Sequence, residues 1–396
     1  MQIIRGKKLK LIFSDHWEAV ASKYAHLLLR PAIAKNINKM LRCGTEAMGF
    51  HLWKCPKCSF EKKVFHTCKS RFCPSCGIAQ TKRWHEKFNF LFAHTSYKHI
   101  VIHPPSEFWE YFKIGKAPYY NMLFTTTHQA LKDWYEKNGY LPGIMAVLHT
   151  FGRDEGFTPH LHLLITCGGL DRLQSRFITP VKDGYIPHNY LRGHFQKYFL
   201  ANMQELWKNQ LMEDVPLFKH FMFTALYQND LVGVVLKKVW YVWVGEKIEK
   251  AFQTVSYIAR YSKRPPIAEA NITAYDGKMV DFTFVEHKTK QPKCLTLTAE
   301  DFIKLLIRHI PDNNFRMVRY YGFFANRIRG KLLPKVFTLL GDNYWKIKAE
   351  WERLFSWWRR QLELFNHLDP LICSVCLVPL ELVSRMFVTG RMDTYG

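Results

Sequence analysis

His160-Leu-His162 and Tyr257-Ile-Ala-Arg-Tyr261 are two short patterns that could do chemistry together. Thr158-Pro-His-Leu-His-Leu-Leu-Ile-Thr166 reads as a strand, and side chains alternate along a strand, so both imidazoles project from one face. The tyrosines, four apart in a segment of helical character, likewise share a face. A cation held by imidazoles beside paired phenols suits attack on a phosphodiester. The metal polarises the phosphoryl oxygens and the phenolate becomes covalently attached. A phenol with a pKa of about 10 is mostly neutral at pH 7 and needs a cation nearby. Arg260, Lys263 and Arg264 lie within a turn of the tyrosines and could lower that pKa or hold the phosphate. The competing reading of the two tyrosines is an aromatic stripe packed into a core.

The elements that must position these groups follow from periodicity. Tyr97-Lys-His-Ile-Val-Ile-His103 reads as a buried strand ended by Pro104-Pro105, and residues 119–137 read as a helix. Residues 144–151 and 160–166 read as an antiparallel hairpin whose connection carries Gly152 and Gly156. Pairing of these strands brings His149 opposite His160 or His162 as a third metal ligand, with Asp154 and Glu155 the carboxylate alternatives. Helical spacing returns over 193–212, a strand is expected over 235–244, and Tyr275-Asp-Gly-Lys signals a hairpin within 272–285. Residues 299–309 read as a short helix and the last hundred as basic, aromatic and mostly helical. The expected class is α+β, with a central antiparallel sheet flanked by helices.

Near the N-terminus, residues 16–41 carry apolar residues at helical spacing, divided by Pro31. Cys55-Pro-Lys-Cys58 and Cys73-Pro-Ser-Cys76 follow, fourteen residues apart. Two such turns can present four thiolates to one structural Zn²⁺. Cys43, His51, His66 and Cys68 are left over; they supply a second zinc, or Cys68 replaces one of the first four ligands. Cys373-Ser-Val-Cys376 is an orphan pair or a half-site completed elsewhere.

The chain has 396 residues, 48% of them hydrophobic, and a net charge of +24 from 57 Lys plus Arg against 33 Asp plus Glu. That length allows two or three domains. The charge attracts polyanions, nucleic acid first, and an acidic surface would serve mere solubility better. No run of eighteen apolar residues and no apolar signal core occur, so a cytoplasmic protein without membrane contact is expected. In a reducing compartment, metal binding explains ten cysteines better than disulfides do. Lys69 and Arg71 beside the cysteines offer a basic DNA surface. Arg316, Arg319, Arg327 and Arg329 interleave with Phe315, Tyr320, Tyr321, Phe323 and Phe324 in the charge-plus-stacking pattern of single-strand binders.

Thr150-Phe-Gly-Arg-Asp, Pro159-His-Leu-His, Tyr257-Ile-Ala-Arg-Tyr-Ser-Lys-Arg-Pro-Pro-Ile, Arg319-Tyr-Tyr-Gly-Phe and Ser70-Arg-Phe-Cys-Pro-Ser-Cys76 together resemble the IS91-type transposases, two-tyrosine members of the HUH endonuclease superfamily. The resemblance implies residues 1–90 as a helical, zinc-binding DNA-binding domain, 91–290 as an HUH-type catalytic domain and 291–396 as a DNA-contacting region. It implies a rolling-circle-type transposase that acts on single-stranded element ends in the bacterial nucleoid. His160 and His162 would be ligands of Mg²⁺ or Mn²⁺, and Tyr257 and Tyr261 nucleophiles. The alternatives are a replication initiator or relaxase of the same superfamily, or a zinc-containing DNA-binding regulator without catalysis.

Overall fold

The computed structural model describes residues 7–24, 30–115, 117–151, 157–180, 186–212, 238–249, 267–285, 291–355, 359, 363, 369–389 and 392–394. The chain divides into two compact units, each assembled from separated stretches. Unit 1 comprises 1–91, 259–313 and 345–396, and unit 2 comprises 92–258 and 314–344.

Unit 1 begins with α1 (Lys7–Lys23) and α2 (Pro31–Arg42). Pro31 stands at the start of α2, where its missing N–H leaves no hydrogen bond unmade. The strands β1 (Phe50–Lys54) and β2 (Glu61–Phe65) form a hairpin, and α3 (Pro74–Leu91) completes the first stretch.

Unit 2 then supplies β3 (Tyr97–Ile102), α4 (Trp109–Gly115), α5 (Ala117–Lys137), β4 (Tyr140–Phe151), β5 (Phe157–Asp171), β6 (Phe177–Ile178), α6 (His188–Met212) and β7 (Val242–Ile248). α5 buries Tyr119, Leu123, Thr126, Thr127, Ala130 and Leu131, a stripe at helical spacing.

Back in unit 1 come β8 (Ile272–Tyr275), β9 (Met279–Val285), β10 (Pro292–Thr298) and α7 (Ala299–Ile307). The expected turn joins β8 to β9: Asp276 Oδ1 accepts from the Lys278 and Met279 amides, and Gly277 takes φ +95°. Thr298 caps α7 by accepting from the Asp301 amide. Unit 2 closes with β11 (Val318–Gly322) and α8 (Arg329–Leu339). The chain continues through α9 (Tyr344–Phe355) to β12 (Glu381–Met386) and β13 (Met392–Thr394).

The sheet of unit 2 runs β11-β4-β5-β3-β7, with β6 beside β5, and every pairing is antiparallel. One face carries Ile100, Ile102, Ile144, Ala146, Leu148, Leu161, Leu163 and Ile165 into a core shared with residues of α4, α5 and α6. Alternation sends the opposite residues, His149, His160 and His162 among them, to the other face. Gly322 ends β11 at φ +60°, where an added β-carbon would lie 1.6 Å from the Pro142 carbonyl oxygen, so only glycine lets the two strands close here.

Unit 1 holds two further antiparallel sheets, β13-β12-β1-β2 and β10-β9-β8. Its core joins Leu9, Ile12 and Phe13 of α1 and Ile33 and Ile37 of α2 to Val280, Phe282, Phe302 and Ile303. Strands β10 to β13 fall where only helix or no element was expected. β11 and β12 pair with strands far away in the chain, while the largely exposed β10 and the three-residue β13 pair with neighbouring β9 and β12, so local periodicity marks none of the four. No described helix is long and apolar enough to cross a membrane.

Candidate active site

The hairpin β4–β5 sets the geometry. Its register places His149 directly opposite His160 and Val147 opposite His162. Residues opposite one another or two apart share a face, so three imidazoles converge: their ligand nitrogens all lie within 4.8 Å of one another, and all three side chains are buried.

The hydrogen bonds around the triad orient it. His160 Nδ1 lies 2.7 Å from the Thr158 carbonyl oxygen, which can only accept, so Nδ1 carries the hydrogen and Nε2 offers its lone pair. That Nε2 stands 3.1 Å from His162 Nε2. On its other side, His162 Nδ1 lies 2.7 Å from His99 Nε2, and the two rings stack with centroids 5.0 Å apart. His103 stacks on His160 at 4.5 Å. Trp243 and Tyr241 meet His99 and His103 edge-on. Both are exposed aromatics, 42% and 56% accessible, beside a buried cluster.

Burial favours the neutral form of His160, His162, His99 and His103. It lowers His160 and His99 to about 4 and His103 to about 3, the last helped by neighbouring His160. His162 is pulled well below its ordinary value by burial, and then by His149, His160, His99 and His103. Neutral imidazoles whose lone pairs converge are a cation's donor set. An all-nitrogen set of this kind suits Mn²⁺ better than Mg²⁺ unless substrate oxygens complete the shell.

Sequence reasoning overlooked His99 and His103. Both stand on or beside β3, two residues either side of Val101, and Val101 faces His162 across the ladder. Two histidines at an even spacing in an apolar strand were the available signal. Asp154 and Glu155, the carboxylate alternatives, lie outside the described residues. So do Tyr257, Tyr261, Arg260, Lys263 and Arg264.

The cysteines group differently from the expectation. Cys55 and Cys58 do not share a cluster with Cys73 and Cys76. Cys73 and Cys76, at the start of α3, join Cys43 and Cys68, and all four are buried. Cys76 Sγ lies 3.5 Å from Cys43 Sγ and 3.6 Å from Cys68 Sγ. The amides of Cys68 and Ser70 donate to the Cys43 and Cys68 sulfurs. The physical cause is the hairpin. Pairing of β1 with β2 and with β12 draws Cys55 and Cys58 toward Cys373 and Cys376 instead. His51 and His66 contact each other, Nδ1 to Nε2 at 3.3 Å, and join neither cluster.

Of the basic candidates, Lys69 is exposed, whereas Arg71 is half-buried and donates to the His309 carbonyl. Arg319 is half-buried on β11. Its guanidinium lies 4.1 Å from the Phe124 ring centroid and 5.5 Å from that of Phe315, and it donates to Asn121. Phe323 and Phe324 are fully buried and Tyr321 stacks on His128, so core packing accounts for part of the aromatic run.

Residues 143–331, which contain all three site histidines, match the family described as "Putative transposase", and residues 12–103 match the "Transposase zinc-binding domain". The chain is 30% identical over 390 residues to the transposase for insertion sequence element IS801 of Pseudomonas savastanoi pv. phaseolicola, covering 93% of this chain and 89% of that one. It is 26% identical over 343 residues to "Putative transposase y4qJ" of Sinorhizobium fredii, with 85% of each covered. No solved structure matches.

Proposed function

Because the chain belongs to the family of IS91-type transposases, we propose that it transposes by a rolling-circle route, nicking one DNA strand through a 5′-phosphotyrosine intermediate. Its substrates are single-stranded element ends. His149, His160 and His162 hold the divalent cation, Mn²⁺ or Mg²⁺. When bound, that cation supplies Lewis-acid polarisation of the phosphoryl oxygens.

The remaining work falls to the chain's own groups. Tyr257 or Tyr261 gives up its phenolic proton and attacks the scissile phosphorus. The new tyrosyl–phosphorus bond replaces the bond to the 3′-oxygen, which leaves as a hydroxyl after taking a proton. The second tyrosine serves the second strand of the exchange. Arg260, Lys263 and Arg264 offset the phosphate's charge. Exposed Trp243 and Tyr241 offer stacking surfaces for unpaired bases at the margin of the site. In the zinc-binding domain, Cys43, Cys68, Cys73 and Cys76 hold the structural Zn²⁺, with Lys69 presented to the DNA backbone.

The observation that carries the reading is the opposition of His149 to His160, which assembles three buried imidazoles on one sheet face. The test is a covalent-adduct assay. Wild-type protein, Mn²⁺ and a single-stranded oligonucleotide bearing an element end should give a species that survives denaturing electrophoresis. Replacing both tyrosines by Phe, or His160 and His162 by Ala, should abolish it while DNA binding persists. An adduct formed by the double Phe variant would overturn the assignment. Absence of any adduct with wild type would favour a DNA-binding regulator.

A further inference from the structure

We propose that Cys55, Cys58, Cys373 and Cys376 form a second, purely structural tetrathiolate zinc site, completed by two ligands, Cys373 and Cys376, that lie far beyond the zinc-binding domain match ending at residue 103. The ligand sulfurs lie within 4.8 Å of one another although Cys58 and Cys373 are 315 positions apart. A tetrahedral ion with metal–sulfur bonds of about 2.3 Å separates its sulfurs by about 3.8 Å. Cys58 and Cys373 Sγ stand 3.7 Å apart, close to that edge.

The two pairs sit in matching turns. The Cys55 amide donates to the carbonyl of Phe60 at 2.9 Å, and the Cys373 amide to that of Val378 at 2.8 Å, five residues on in each case. In both turns amides point back at the first sulfur: Lys57 N–H at Cys55 Sγ, and Val375 and Cys376 N–H at Cys373 Sγ, all at 3.4 Å. Such donors stabilise thiolate charge, as the groups around a metal's ligands do. Phe60 and Val378 then pack on the cluster beside Trp53 and Leu380.

Apolar packing around the sulfurs is sparse. The buried apolar cluster around the sulfurs comprises only Cys55, Cys373 and Leu380 among the described residues, which is too small a core to be self-supporting. An ion bound by four thiolates supplies the missing stability, and with no open position it has no catalytic part. The site fastens residues 369–389 to the β1–β2 hairpin, beside the ladder of β12 on β1 and the Lys62 bond to the Pro370 carbonyl.

The experiment is a mercurial titration of the full-length protein with a colorimetric zinc indicator, which counts only zinc released from thiolates. Wild type should release two equivalents per chain. A Cys373→Ser, Cys376→Ser double variant should release one. One equivalent from wild type, or two from the variant, would overturn the proposal. Cadmium-113 NMR of the metal-exchanged wild type reads the same question without relying on a variant's folding. Two resonances in the all-sulfur range are expected, and a single one would refute it.

Discussion

His99 Nε2 lies 2.7 Å from His162 Nδ1, so one candidate metal ligand is oriented by a histidine from the neighbouring strand β3. Burial holds His99 neutral, which leaves its Nε2 free to accept the hydrogen that a metal-bound His162 must carry on Nδ1. The pair therefore acts as ligand and positioner.

Removing the positioner should loosen the ligand without deleting it. His99→Ala is expected to weaken Mn²⁺ binding by about 10- to 100-fold. His99→Gln, whose amide oxygen can accept the same hydrogen, should recover part of that loss. Calorimetric titration of each variant with Mn²⁺ decides the matter. Unchanged affinity in His99→Ala would mean that the stacked rings serve packing alone.

Trp243 is exposed and meets His99 edge-on, within the margin of the site. Trp243→Ala should lower affinity for a single-stranded oligonucleotide by about 1–3 kcal/mol, the usual worth of one base–aromatic stack. Duplex of the same sequence should be bound as before. Fluorescence anisotropy with both substrates makes the comparison. Equal losses on both would place the tryptophan's effect in folding.

Arg319 and Lys69 should separate cleanly. Arg319 is enclosed by Phe124 and Phe315, so Arg319→Ala should cost about 1–2 kcal/mol of stability, from lost cation–ring contact and packing. Its salt dependence of DNA binding should stay at the wild-type slope. Exposed Lys69 should behave the other way: Lys69→Ala should keep the denaturation midpoint and reduce the salt slope by about one. Denaturant melts and binding isotherms at several salt concentrations would expose a reversed pattern.

The histidine pair was legible because its chemistry rides on a two-residue repeat. The apolar run Leu163-Leu-Ile165 marks a strand buried on both faces, and β4–β5 follows with His149 in place. The zinc ligands were only half legible. Spacing alone groups Cys55, Cys58, Cys73 and Cys76, since nothing local says that β1 pairs with β12 from the far end of the chain. The same blindness to distant partners hid β11, which pairs with β4, and β12, which pairs with β1. It also hid the return of residues 259–313 and 345–396 to the unit that begins the chain. Phe323 and Phe324 show a different limit. An aromatic beside an arginine reads alike whether it stacks on a base or fills a core.

The dependence of β1 on β12 bears on how the molecule is made. During synthesis β1 emerges early and gains β2 at once, yet its other edge stays bare until residue 386 has left the ribosome. A chain lacking β12 and the Cys373–Cys376 turn would therefore expose one edge of β1 and leave the Cys55 and Cys58 thiols without their partners.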